Sequence, residues 1–372
     1  MRITGVRTVT CDIPLPRPIV MGQLRFDSRE YVLVIVETDA GIRGIGFGMT
    51  RDAPVATIVE RNLAPLLIGR DPAMVEQLWH LQYDRNLTIG GQGIFMRALS
   101  AVDIALWDIK GQVAGQPVWT LLGGARERVP VSVAGGYPRA GAAEADLARE
   151  VDDYATRGFG SIKISAGDLA SDTARLRAAS EAAAGRATLS YDAHWAWRDL
   201  LDVLPTVRAW ADLDLAFIED PFAPELWPLA AELRRRVPIP LALGEDAVGR
   251  WAFERLFSNF LPDLVRVDAT TVGGLSEAVK VCAMASARGR SVLPHVFPEV
   301  HIHLAAALPA VRAVEVTLPE YEIEALHLLF RDWLTFERGE AVAPSLPGLG
   351  FLLDERAVTR YSVHTTLTKA DQ

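Results

Sequence analysis

The chain has 372 residues, half of them hydrophobic, a net charge of −9 and two cysteines. That length holds one α/β barrel of about 250 residues plus a second domain, and the acidic balance argues against a nucleic-acid partner, since no basic excess exists to neutralise phosphates. Cys11 and Cys282 have no motif spacing and fit a reducing compartment. The opening MRITGVRTVTCDIPLP lacks the apolar core of a signal peptide, and no stretch approaches the ~20 apolar residues of a membrane span. The expectation is a cytoplasmic protein away from membranes.

In chain order, residues 2–10 read as a strand, and YVLVIVET at 31–38 as a second. Asp39-Ala40-Gly41 is a turn signal, and 42–48 returns as a third strand of a small antiparallel meander. Residues 14–28 are too long and proline-rich for a hairpin turn, so they read as a loop folding over an active site. Arg17, Arg25 and Asp27 on it become candidate substrate contacts. Helical patterns follow at 54–67, from Asp71-Pro72 toward Tyr83, and at 93–113, where Gly115 and Pro117 end the run. Strands followed by helices make an α+β unit over 1–125.

From residue 126 the pattern changes. Short apolar runs end in polar residues at Lys163, Asp192, Glu219, Glu245, Asp268, His295 and Glu315, about 20–30 residues apart. That is the length of one strand, one helix and their turns, the repeat of a (β/α) barrel. The first barrel strand is expected at 128–133. Helices are expected at 140–157, 172–184, 200–213 with Pro205 starting or kinking it, 225–236, 274–288 and 300–308. Residues 126–320 form this barrel, and 321–372 return to the first unit.

A barrel gathers the C-terminal ends of its strands on one face. Asp192, Glu219 and Glu245, from consecutive strands, cannot all stay ionised together without a cation. Oxygen-only ligands suit a hard ion, Mg2+. Such an ion stabilises the enediolate left when a carboxylate loses its α-proton. His295 is placed as the base that takes that proton, and Asp268 as the carboxylate that fixes its tautomer. His194, two residues beyond Asp192, faces the same way on an extended chain. Trp195 and Trp197 shape the pocket or pack on the cap. His301 and His303 read as structural.

The ordered set Lys163-Ile164-Ser165, Asp192, Glu219-Asp220-Pro221, Gly244-Glu245, Asp268 with Gly273-Gly274, His295 and Glu315 resembles the mandelate racemase subgroup of the enolase superfamily. The resemblance implies a modified (β/α)7β barrel under an α+β cap. It implies Mg2+ on Asp192, Glu219 and Glu245, an Asp268–His295 proton-transfer dyad and Lys163 neutralising the enediolate. Glu315 is implied to hydrogen-bond the substrate carboxylate as a neutral acid. Members are commonly oligomers, so a homo-oligomer is expected. One departure matters. The subgroup usually has a second lysine where Ser165 stands, and a serine without a partnered base cannot take an α-proton, so two-base racemisation is disfavoured. Ser165 becomes a candidate substrate contact. His194 resembles the general acid of galactonate dehydratases. The resulting expectation is a sugar-acid dehydratase forming a 2-keto-3-deoxy acid. Alternatives are a cycloisomerase of a lactone or anhydro sugar acid, a one-base epimerase, or a carboxylate-binding protein without turnover.

Overall fold

β-branched and apolar runs at the start of the chain pair into an antiparallel sheet. The computed structural model describes residues 1–21, 24–139, 144–260 and 262–369. β1 (Ile3–Met21), β2 (Leu24–Thr38) and β3 (Arg43–Met49) lie side by side in that order. Residues 14–28 are therefore not a loop. Apart from 22 and 23, which lie outside the described residues, they extend β1 and β2 into one long hairpin. Its pairing shifts register between Pro14 and Ile19, then resumes with Ile19 opposite Phe26 and Val20 opposite Arg25. A bulge absorbs the prolines, whose missing N–H groups the ladder cannot use.

The long helix Ile94–Ala114 packs across this sheet. Contact is close because β3 carries glycines at the crossing: a Cβ on Gly46 would lie 1.8 Å from the Ala101 carbonyl oxygen. The expected helix at 54–67 forms as two α-helical turns joined by a π-helical stretch, Val59–Leu63. Apolar faces of these helices and the sheet make the cap's own core around Val34, Leu63, Trp79 and Leu99.

Eight parallel strands follow: β4 (Arg128–Gly135), β5 (Ser161–Ser165), β6 (Thr188–Asp192), β7 (Ile218–Glu219), β8 (Leu241–Leu243), β9 (Leu264–Val267), β10 (Ser291–Pro294) and β11 (Val314–Val316). Each pairs with the next from β4 to β10. β11 returns to β4, and Val292 bridges to Val311, so the sheet closes. Helices cross between successive strands, including Gly249–Asn259 between β8 and β9. The result is a (β/α)7β barrel. Residues 140–143 of the expected 140–157 helix lie outside the described residues, and the helix runs Glu144–Thr156. Pro205 sits inside the helix Leu200–Ala209.

After β11 the chain makes a short hairpin, β12 (Phe336–Glu337) and β13 (Glu340–Val342), which adds antiparallel to β4. It then crosses to the cap, where β14 (Ser362–Lys369) pairs antiparallel with β1. Cap and barrel are joined near the functional end. Ser100 Oγ accepts hydrogen bonds from the Gly273 and Gly274 amides (2.9 and 3.1 Å), and Asp103 accepts from the Ser276 amide and hydroxyl (3.0 and 2.7 Å). Trp79 Nε1 donates to the Gly273 carbonyl at 2.7 Å. These bonds fix the loop that follows β9. No helix among the described residues is long and apolar enough to cross a membrane.

Candidate active site

Alternation along each barrel strand sends every second side chain inward. The floor of the barrel is apolar: Phe217, Ala242, Leu264, Leu293 and Ala313 form a separate cluster. Two residues further along the same strands the interior turns polar, with Glu219, Arg266, His295 and Glu315. Lys163 joins them from β5 and Asp192 from the end of β6. Glu245 and Asp268 stand just beyond the ends of β8 and β9.

Lys163 is the hub. Its ammonium lies 2.9 Å from Asp192 Oδ2, 3.1 Å from Glu219 Oε2 and 3.0 Å from Glu315 Oε2, with its side chain 3% exposed. Burial alone would lower its pKa, but the three carboxylates outweigh burial and hold it well above the usual lysine range. Arg266, which the sequence reading passed over, lies beneath the same acids. Its Nη2 donates to both Glu315 oxygens at 2.8 Å, and its Nε is 2.8 Å from Glu219 Oε1. The signal that could have found it is alternation: Arg266 is two residues before Asp268 and must share its inward face. Arg266 and Lys163 outweigh burial at Glu315 and hold its carboxyl far below the ordinary range. The resemblance implied a neutral acid at Glu315; its contacts instead favour the ionised carboxyl, which accepts from Arg266, Lys163 and the Val296 amide (3.1 Å).

His295 sits with Nδ1 3.0 Å from Asp268 Oδ2. The other Asp268 oxygen accepts from the Thr270 amide (2.7 Å) and hydroxyl (2.8 Å). Burial opposes ionisation of Asp268, but its hydrogen bond to His295, the nearby His295 and His301 charges and the Thr270 hydroxyl together outweigh burial and keep the carboxyl below its usual value. His295 Nε2 points toward Glu245, 3.6 Å away. His301 supports this loop: its Nε2 accepts from the Ala269 amide at 2.8 Å and its Nδ1 donates to the Val296 carbonyl at 2.6 Å. His303 is buried between the Trp119 amide and the Leu349 carbonyl.

His194 does not sit on a persisting strand. β6 ends at Asp192, and His194 adopts a left-handed conformation, φ 48°, in the turn beyond. The turn folds its ring back: Nε2 is 2.8 Å from Ser165 Oγ, and Nδ1 is 3.3 Å from Asp192 Oδ1. The Ser165 hydroxyl is thus engaged by His194. Burial pushes the His194 imidazole below its ordinary pKa, with Asp192 pulling the other way. β6 and β10 are four strands apart in a ring of eight, so His194 and His295 stand on opposite sides of the mouth. Tyr137, also absent from the sequence reading, packs its ring 6.0 Å from that of His194.

The other candidates separate. Arg17 pairs with Glu322 (2.7 Å) and Arg25 with Asp27 (2.8 Å), each with more than half of its side chain exposed. The hairpin that carries them is held instead by buried Arg29, 2.9 Å from Glu324. Trp195 is half-buried in the turn beyond β6, its amide bonded to the Asp220 carbonyl at 2.8 Å. Trp197 is buried in an aromatic cluster with Tyr191, Trp210 and Phe222.

Three carboxylates have ligand oxygens within 4.8 Å of one another: Glu219, Asp220 and Glu245. Each has one buried oxygen without a hydrogen-bond partner among the described residues, that of Glu219 lying at ion-pair distance, 3.1 Å, from the Lys163 ammonium. Burial, then the neighbouring acids, pushes the Asp220 and Glu245 carboxyls well above their usual range. Orphaned, mutually repelling buried oxygens are what a hard divalent cation would satisfy, so the donor set fits Mg2+. Asp192 stands beside Glu219 in the β6–β7 register, its oxygens taken by Lys163 and His194.

Fold and mouth together define a capped α/β barrel of the enolase type. The family model described as mandelate racemase/muconate lactonizing enzyme, N-terminal domain, matches residues 3–123, and enolase C-terminal domain-like matches 146–357. The chain belongs to this mandelate racemase/muconate lactonizing enzyme family of the enolase superfamily. It is 33% identical to D-galactarolactone cycloisomerase of Agrobacterium fabrum over 97% of this chain and 99% of that protein. It is 30% identical to arabinonate dehydratase of Saccharolobus solfataricus, covering 89% and 90%. Among solved structures, L-talarate dehydratase from Polaromonas sp. JS666, complexed with Mg and L-glucarate, superposes with a TM-score of 0.88 at 28% identity and full coverage of both chains.

Proposed function

We propose that the protein is a Mg2+-dependent dehydratase of a sugar acid. The observation that carries this reading is the pairing of two histidines on opposite sides of the mouth: His295 backed by Asp268, and His194 clamped between Ser165 and Asp192. Asp192, Glu219 and Glu245, the ligands the family resemblance implies, would hold the ion, with Asp220 beside them. Bound there, Mg2+ supplies a Lewis acid that spreads negative charge on the substrate carboxylate. With Nδ1 committed to Asp268, His295 presents Nε2 to the proton on C2. Lys163 lends positive charge where the enediolate forms. His194 gives a proton to the departing 3-hydroxyl from the other side, and water leaves. The enol then tautomerises to a 2-keto-3-deoxy acid. Ser165, bonded to a histidine and not to a lysine, is no second base, so removal of the α-proton rests on His295.

A cycloisomerase acting on a sugar-acid lactone is the second reading, favoured by the 33% identity to the galactarolactone enzyme. It uses the same base and the same acid. The deciding experiment incubates purified protein and Mg2+ with four- to six-carbon aldonic and aldaric acids, with semicarbazide to trap 2-keto products. Formation of a 2-keto acid that His295→Asn abolishes supports dehydration. Sugar-acid lactones are tested beside the free acids: ring opening of a lactone to an isomeric 2-keto acid, with no water lost and the free acids inert, moves the assignment to cycloisomerisation. Absence of any turnover, and of C2 exchange in D2O, overturns both and leaves a carboxylate-binding protein.

A further inference from the structure

Burying a guanidinium is costly unless its charge and donors are matched. Arg266 is fully enclosed in the barrel interior, one layer above the apolar floor. Its guanidinium reaches three different strands. Nη1 donates to the carbonyls of Leu293 (2.9 Å) and Pro294 (3.3 Å), the two residues before His295. Nη2 donates to both oxygens of Glu315 on β11. Nε stands at ion-pair distance, 2.8 Å, from Glu219 on β7, out of line for a hydrogen bond. Glu315 completes the grip by accepting the amide of Val296, the residue after His295. The backbone on both sides of His295 is therefore held by one buried ion pair, and the same pair reaches Glu219.

We propose that Arg266 is a positioning residue that, through Glu315, sets the backbone of the general base and the carboxylate of a metal ligand in one rigid frame. The proposal rests on the roles given above to His295 and Glu219. Glu315 then serves as a bracket between Arg266, Lys163 and the His295 segment, its oxygens occupied as acceptors. A lysine cannot replace the arginine here. One ammonium can neutralise the acids but cannot reach two carbonyls, Glu315 and Glu219 together.

The test compares Arg266→Lys and Arg266→Met with wild type in kcat, KM, C2-proton exchange in D2O and Mg2+ affinity by calorimetry. Misplacing a base or loosening a ligand's support costs about 10–100-fold. Arg266→Lys is expected to lower kcat and exchange together by that factor, with KM within about threefold of wild type. Mg2+ affinity should fall about tenfold in Arg266→Met and recover in part in Arg266→Lys. A purely structural role would lower the melting temperature of Arg266→Lys and leave kcat and Mg2+ affinity unchanged; that result overturns the proposal. If Arg266→Met does not fold, Arg266→Lys decides alone. If wild type turns over no acid, the dehydratase reading fails. The calorimetry still decides here: unchanged Mg2+ affinity in Arg266→Lys and Arg266→Met overturns the frame, and a loss supports it.

Discussion

Replacing Lys163 by methionine removes the charged ammonium while keeping most of the apolar stem, and the structure sets how much that should cost. The ammonium touches Asp192, Glu219 and Glu315 and is almost fully buried. Removing one partner of a buried ion pair costs about 3–5 kcal/mol, because the remaining charge is left uncompensated. Glu219 and Glu315 keep Arg266, and Asp192 keeps His194, so the low end applies, about 3 kcal/mol. Unfolding entropy near 2.1 cal/mol/K per residue gives about 0.8 kcal/mol/K for this chain, so the loss converts to a fall of about 4 °C in Tm. The assay is calorimetric melting of wild type and Lys163→Met in EDTA and in Mg2+. In EDTA the variant should melt about 4 °C lower. A ligand at a hundred times its Kd adds about 2.7 kcal/mol. The variant's site is more negative, so Mg2+ should raise its Tm by more than that of wild type and narrow the gap. A variant within about 1 °C of wild type in EDTA would refute the reasoning. So would a gap that widens when Mg2+ is added.

Three further outcomes are expected. His194→Asn should abolish 2-keto product while leaving C2 exchange with D2O intact; simultaneous loss of both would remove His194 from the acid role. For Mg2+ measured calorimetrically, Asp192→Asn should abolish binding and Asp220→Asn weaken it about tenfold; the reverse order would make Asp220 the ligand. Burial lowers the His303 pKa from 6.5 to about 4. The unfolded chain therefore takes up a proton at a pH where the folded chain does not. Stability supplied by the neutral ring is present above pH 6.5 and lost as pH falls toward 4, up to about 3 kcal/mol. Urea titrations of wild type and His303→Gln over that window should show a shallower pH slope in the variant. Equal slopes would contradict the assignment.

The order of elements and the main polar strand endings could be read from the sequence alone. A βα repeat has a length, and alternation on each strand marks one face. Lys163, Asp192, Glu219, Asp268, His295 and Glu315 fall on that pattern; Glu245 fits the repeat length but not the alternation, three residues past inward-facing Ala242 and beyond left-handed Gly244. What the linear pattern does not contain is pairing across the barrel. Arg266 has the right phase, yet its meaning comes from Glu315 and Glu219, 49 and 47 positions away in sequence. Those contacts favour the ionised form of Glu315, whereas the resemblance implied a neutral acid. Residues 14–28 looked like a loop because prolines interrupt strand propensity. A register shift inside a long hairpin, stabilised by its partner strand and by Arg29 on Glu324, overrides that local signal. His194 was expected to point into the mouth on a continuing strand. It reaches Ser165 and Asp192 only because the strand stops and a left-handed turn folds the ring back. Local periodicity determined which residues line the barrel. Tertiary structure alone decided which charges meet, because charge compensation in a buried site depends on distances between strands that the sequence does not record.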